Sequence, residues 1–177
     1  RTALETAAKS LQGRSQLSAI QALGQRSEPA ALDTLRELAT HADDTIANAA
    51  IDAIGSIGSM PAVDALELVR PSARDSLYPA LRAAYLKAAS DLLYDGDSVS
   101  AGMIYTELFK PEHPGHIRAA ALSGLVATNP DKALETVSAA LSDTEAQVAH
   151  IAIGQMRGIP GEAATAQFAK MLPQAAP

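Results

Sequence analysis

One stretch limits what this chain can fold into: Pro29 to Gly58, PAALDTLRELATHADDTIANAAIDAIGSIG. Leu32, Leu35 and Leu38 recur at helical spacing and share one stripe. Pro29 suits the first turn of that helix, where a missing N–H costs nothing. His41 to Asp44 breaks the pattern with short polar residues, and Asp44 or Thr45 is placed to cap a second helix. That helix carries Ile46, Ala50, Ile51, Ile54 and Ile57 before Gly58 and Ser59 stop it and Pro61 opens the next segment. A lone pair of short helices is marginal in water and leaves an apolar face uncovered. The pair therefore has to stack on copies of itself.

The copies are present. Residues 1–12 read as a helix with Leu4, Ala7, Ala8 and Leu11 inward, stopped at Gly13. The second-helix pattern then fits Ala19, Ile20 and Leu23; Leu81, Tyr85, Leu86 and Ala89; Ile117, Ala121, Leu122 and Leu125; and Val148, Ala152, Ile153, Met156 and Ile159. Second helices are expected to start near residues 15, 46, 81, 117 and 148, spaced by 31, 35, 36 and 31. First helices precede them through Val63, Leu66 and Val69, then Met103, Ile104, Leu108 and Phe109, then Leu134, Val137 and Leu141. Pro71-Ser72, Asp95 to Asp97, Pro111 to Gly115 and Asn129-Pro130 supply loops and helix boundaries. Leu92, Leu93 and Tyr94 extend the second helix of the third repeat, and Glu162 to Leu172 reads as a sixth first helix. The expectation is an all-α fold: an α-solenoid of five helix pairs plus a trailing helix. It forms one domain over 1–172, with repeats at about 1–26, 29–59, 61–95, 97–129 and 130–160, a partial repeat at 161–172 and a frayed tail at 173–177. A start at Arg1 and a stop in mid-repeat suggest a piece of a longer protein.

Composition narrows the function classes. Hydrophobic residues make up 47% but aromatics only 3%, and 38 alanines fill the gap, which favours closely approaching helices. A net charge of −6 argues against nucleic acid, whose binding calls for a basic stripe. The absence of cysteine removes disulfide frameworks, thiolate zinc sites and cysteine nucleophiles. No apolar run reaches the roughly 18 residues of a bilayer span, so no membrane partner is expected.

The run Thr45-Ile46-Ala47-Asn48-Ala49-Ala50-Ile51-Asp52-Ala53-Ile54-Gly55 resembles the V-R-x-x-A-A-x-A-L-G signature of HEAT-repeat proteins, above all the short bacterial phycobilisome-lyase HEAT-like repeats. That family usually sets an arginine after the first apolar residue of the second helix and pairs it with an aspartate of the preceding turn. Here the position reads Gln16, Ala47, Arg82, Arg118 and Ala149, so only two repeats keep the arginine. Residues 86–172 are also similar to segments of large exported bacterial proteins that carry jelly-roll domains of the 3-keto-disaccharide hydrolase type. This second resemblance implies an accessory module in a periplasmic or secreted protein. The stretch Ser100 to Tyr105 has a tetratricopeptide look, without that family's tryptophan.

Catalytic candidates are thin. His113-Pro-Gly-His116, with Glu112 and Asp97 nearby, has the spacing of a metal pair, but zinc asks for three or four rigid ligands, and a plain loop fits better. Gly55 to Gly58 lacks both the G-x-G-x-x-G and the P-loop pattern and reads as a helix terminus. No nucleophile elbow is present. Gly154 and Gly158 mark close packing or termination. Tyr78, Tyr85, Tyr94 and Tyr105 either pack the irregular third and fourth repeats or form a binding patch. The outward second-helix row reads Gln21, Asn48, Asp52, Lys87, Asp91, Ser123 and His150, mixed in sign and without aromatics. The expectation is a non-enzymatic, monomeric scaffold with no cofactor. It would bind another protein or a neighbouring domain through Asn48, Asp52, Arg82, Tyr85, Lys87 and Arg118. The alternatives are an accessory module of an exported carbohydrate-active enzyme and a nucleic-acid-binding module.

Overall fold

In the computed structural model, which describes residues 2–171, every described regular element is a helix. Five helix pairs follow in order: α1 (Thr2–Ser10) and α2 (Gly13–Gln25), α3 (Leu32–Ala39) and α4 (Asp44–Ile57), α5 (Met60–Val69) and α6 (Tyr78–Tyr94), α7 (Ser98–Leu108) and α8 (Gly115–Thr128), α9 (Ala133–Ala140) and α10 (Ala146–Gln155). A trailing helix, α11 (Glu162–Met171), completes the all-α, solenoid-type arrangement. Leu172 and the tail at 173–177 lie outside the described residues. The helices gather into two compact blocks divided between Asp95 and Gly96.

In the N-terminal block, second helix packs on second helix, α2 against α4 and α4 against α6, while α3 packs on α5. Ile20, Leu35, Ile51, Ile54, Leu66, Leu77 and Leu81 are its largest fully buried aliphatics. Gly24 and Gly55 set the spacing. A Cβ built on Gly24 would lie 2.7 Å from the Ala53 Cα, and one on Gly55 would lie 2.7 Å from the Ala84 Cα. Gly55 follows Gly24 by 31 residues, as Ala84 follows Ala53. The period across the first three repeats is therefore 31, not the 35 expected between the second and third. The second helix of the third repeat opens at Tyr78 rather than near Leu81, led in by a 3₁₀ turn at Asp75–Leu77 and with Pro79 in its first turn. It runs to Tyr94 as expected.

The turn chemistry differs from expectation by one residue. Asp43 caps α4, its carboxylate accepting the Thr45 N–H at 2.8 Å, while Asp44 and Thr45 are already helical. Accepting that N–H holds the Asp43 carboxyl below its usual value. Gly58 ends α4 with a left-handed backbone (φ 63°), which a side chain would strain.

The C-terminal block centres on Leu122, Val137, Leu141 and Val148, with Ala164 and Phe168 of α11 docked on the same cluster. Packing of α11 against α9 gives it the place of a sixth first helix. Asp97 caps α7 through the Ser100 N–H at 3.0 Å, and Asn129 caps the following 3₁₀ turn.

Three inward assignments are wrong. Leu11 is 43% exposed, Met103 60% and Ile153 37%. Ile153 lies at the edge of its helix's buried stripe, Met103 on the face of α7 opposite Ala101, Tyr105 and Leu108, and Leu11 beyond the last residue of α1. Gly154 and Gly158 have nothing within 4 Å of a built Cβ, so neither marks a close helix approach; Gly158 closes the 3₁₀ turn Met156–Gly158.

Candidate functional site

Five residues of the outward row expected from sequence line two separate grooves, Gln21, Asn48 and Asp52 in the N-terminal block and Ser123 and His150 in the C-terminal block, while Lys87 and Asp91 line neither. In the N-terminal block a groove of about 550 Å³ runs between α2 and α4. One wall is Leu17, Gln21 and Gln25, each four residues from the next, and the other includes Asn48, Asp52 and Ser56, again four apart. Residues four apart share a helix face, so each helix offers one polar stripe to the groove while its opposite face fills the core. No lysine or arginine lines it.

Two acceptors in this groove have no donor. The Asn48 Oδ1 is buried without a hydrogen bond. The Asp52 carboxylate, on an exposed residue, carries no hydrogen bond or ion pair, and partial burial raises its pKa above 3.8. Ser56 and Asp44 are engaged locally. The Ser56 hydroxyl donates to the Asp52 carbonyl at 2.9 Å, and Asp44, at the groove's end, is held by Arg74.

In the C-terminal block a groove of about 660 Å³ lies between α8 and α10, floored by Ala119 and Ala120 and rimmed by His116, Ser123 and His150. A wider one of about 1000 Å³ separates α7 from α9, with Val99 and Met103 exposed along it.

Of the six residues expected on the partner surface, the structure brings only Asn48 and Asp52 into one groove. Arg82 and Lys87 stand on α6 and do not line it. Lys87 is exposed and paired with Asp91 at 2.9 Å. Arg82 stacks over the Tyr78 ring at 5.6 Å, and its Nε is buried without an acceptor. With the 31-residue period Arg82 falls in line with Ile20 and Ile51, not with Gln16 and Ala47, so it is not a ladder arginine.

Tyr85 and Arg118 are interior, at 8% and 7% exposure, and leave the surface. The Tyr85 hydroxyl donates to Glu67 at 2.8 Å, and burial beside that carboxylate pushes the phenol pKa far up. Arg118 forks onto Asp143, one contact at 3.1 Å, and donates through Nε to the Phe109 carbonyl at 3.1 Å. Its aspartate belongs to the following turn, not the preceding one. Gln16, at the equivalent place, donates to the Ala8 carbonyl at 2.9 Å and supplies the same bond to the end of the first helix. The tyrosines do not form a patch: Tyr85 and Tyr105 are buried, Tyr78 is half-buried and Tyr94 is 91% exposed.

The residues weighed as metal candidates do not come together as one set. Glu112 and His113 meet Glu107, with ligand atoms within 4.8 Å of one another, and His116 and Asp97 are not part of this group. Lys110 lies against Glu107 at 2.6 Å, and the bond to Glu107, with the charge of Glu112, raises its pKa. An ammonium already compensates this acidic corner.

Among the described residues, no helix is long and apolar enough to cross a membrane. No curated protein matches the chain. The profile described as HEAT repeats matches residues 2–90. Such repeats generally serve as protein-interaction scaffolds and are typically not enzymes. Matched over half its length, and built of helix pairs that recur every 31 residues across the first three, the chain belongs to the HEAT-repeat family.

Proposed function

We propose that this chain is a non-catalytic scaffold that binds another protein, or a neighbouring domain of a parent chain, through the second-helix face of its N-terminal block. The observation that carries this is the pair of stripes facing each other across the α2–α4 groove. The same helices bury Ile20, Leu23, Ile51 and Ile54 behind those stripes, so the polar face is not needed to hold the block together. Arg82 and Lys87 on α6 extend the polar face beyond the groove. A carbohydrate-active neighbour in an exported parent protein is one partner that suits this role.

Site-directed photo-crosslinking tests it. A photoreactive side chain at Gln21 or Lys87 should capture a discrete partner, and one at Leu68, a 62% exposed residue of the first helix α5, should not. Capture from Leu68 alone would place the partner on the other face and refute the proposal.

A further inference from the structure

We infer that the outer edge of α10 seats a helix of a partner protein, amphipathic and bearing carboxylates at the ends of its apolar stripe. The other second helices mark this edge out. Leu17, Ile20 and Gly24 of α2 recur 31 residues later as Asn48, Ile51 and Gly55 of α4. In the C-terminal block Ala119, Leu122 and Val126 recur at the same spacing as His150, Ile153 and Arg157. On this side each second helix meets the next: α4 lies on α2, α6 on α4 and α10 on α8. Ile20, Ile51 and Leu122 are fully buried there. Ile153, their counterpart, is 37% exposed, and His150 and Arg157 are exposed on either side of it. Among the described residues no second helix follows α10, and α11 packs in the first-helix row against α9. Ala146, His150 and Ile153 line the groove of about 660 Å³ that begins between α8 and α10, so the groove runs on to this edge.

A helix suits the edge for two reasons. It continues the row in which α10 lies on α8. Its backbone is also satisfied internally, whereas an extended segment would set unpaired N–H and C=O groups against Ile153. Ala146, His150 and Ile153 stand four and three residues apart and form one stripe along α10. The polar chemistry of the occupant follows from what replaces glycine. Gly24 and Gly55 admit an alanine of the next helix at close range, but Arg157 holds a helix off and offers a guanidinium instead. Neither the Arg157 nor the His150 side chain hydrogen-bonds or ion-pairs with a described residue. An apolar stripe on the partner helix therefore covers Ile153, and a carboxylate at its end meets Arg157 through charge-assisted hydrogen bonds. A second copy does not supply this. Two α10 edges paired about a twofold axis would set each Arg157 against the other copy's His150, with no carboxylate on the edge to meet it.

NMR of the full chain tests this with two helical peptides that share one leucine–alanine stripe and carry either glutamate or lysine at both ends of it. The glutamate peptide should shift the backbone amides of His150, Ile153 and Arg157 and bind about tenfold more tightly than the lysine peptide. Arg157→Glu should reverse that order, which loss of a merely structural arginine would not do. Ile153→Ser should weaken the glutamate peptide severalfold. Both residues are exposed, and unchanged far-ultraviolet circular dichroism will show that the block is folded. Absence of shifts on this edge, equal binding of the two peptides, or an unchanged order in Arg157→Glu would overturn the inference. Sedimentation should show the chain alone as a monomer; a dimer lost in Ile153→Ser would give the edge to a second copy and overturn the partner helix. The α2–α4 groove takes no part here, so crosslinking at Gln21 is independent of every one of these results.

Discussion

Gly55→Ala is the sharpest probe of how the N-terminal block is stacked. In a helix interior with free space the change is favourable by about 1 kcal/mol, because alanine loses less backbone freedom than glycine. Gly55 has no such space. The new Cβ would stand 2.7 Å from the Ala84 Cα, 2.8 Å from its Cβ and 3.0 Å from its carbonyl oxygen. Carbon atoms rest at about 3.5–4.0 Å, so α4 and α6 must part by about 1 Å. Two of the three obstacles are backbone atoms, which no rotamer change can remove. Overpacking of a close-packed core costs about 1–3 kcal/mol, and the backbone obstruction puts this site at the upper end. Subtracting the helix gain leaves a net loss of about 1–2 kcal/mol. In a unit the size of residues 1–95, 1 kcal/mol moves a melting midpoint by about 4–8 °C, so the N-terminal block should melt about 4–16 °C lower. Gly154→Ala is the internal control. It lies inside α10 with nothing within 4 Å of a built Cβ, so it should stabilise by up to about 1 kcal/mol. Differential scanning calorimetry, which resolves two blocks that melt separately, measures both. If Gly55→Ala stabilises as Gly154→Ala does, the close approach of α4 and α6 and the 31-residue register drawn from it are wrong.

Two further perturbations test electrostatics. Asp143→Ala strands the Arg118 guanidinium, 8% exposed on its side chain, and should cost the C-terminal block about 3–5 kcal/mol in urea unfolding; a loss below about 1 kcal/mol would show that the pair is not structural. Asp52→Asn should raise stability at pH 7 but not at pH 3. Below the ordinary value of 3.8 both states hold the proton and Asp52 costs nothing. As pH rises from there through the raised folded value, the unfolded chain gives up its proton first and stability falls. Melting curves of both proteins at the two pH values check this, and a stabilisation equally large at pH 3 would refute it.

The repeat was legible because it is written in two strong signals. The 3.6-residue period of Leu32, Leu35 and Leu38 and of Ile51 and Ile54 shows the helices, and glycine and proline show their ends. What failed was register where those signals thin out. Leu81 is a prominent apolar residue of α6, but Leu77 and Pro79 already mark its true opening. Gly55 reads as part of a helix terminus, yet it and Gly24 each sit within a helix and touch an alanine of the next second helix. Their 31-residue spacing was the available clue. Tyr85 and Arg118 are expected on the partner surface because they stand on the second helices of the irregular third and fourth repeats, and both are buried. Their partners, Glu67 and Asp143, lie 18 and 25 residues away, and no local pattern announces such a pairing. The Asn48–Asp52 stripe was readable, since its i,i+4 spacing follows from the helix alone.

The two blocks hold their repeats together by different means, and the difference bears on function. In the C-terminal block a buried arginine–aspartate pair joins α8 to the turn ahead of α10. In the N-terminal block Gln16 and Ala47 stand where that arginine would be, and backbone-close glycine–alanine contacts do the joining. The Arg74 bond to Asp44 spans the neighbouring turns, but exposed pairs of this kind contribute about 0–1 kcal/mol. Cohesion of the N-terminal block therefore comes from shape and apolar burial on the inner side of α2, α4 and α6. Nothing on the outer side is required for it. Asn48, Asp52 and Gln21 can then be exchanged freely without unfolding the stack, whereas an exchange at Gly24, Gly55 or Ala84 cannot. A surface released in this way from the demands of folding is one on which recognition can be altered residue by residue.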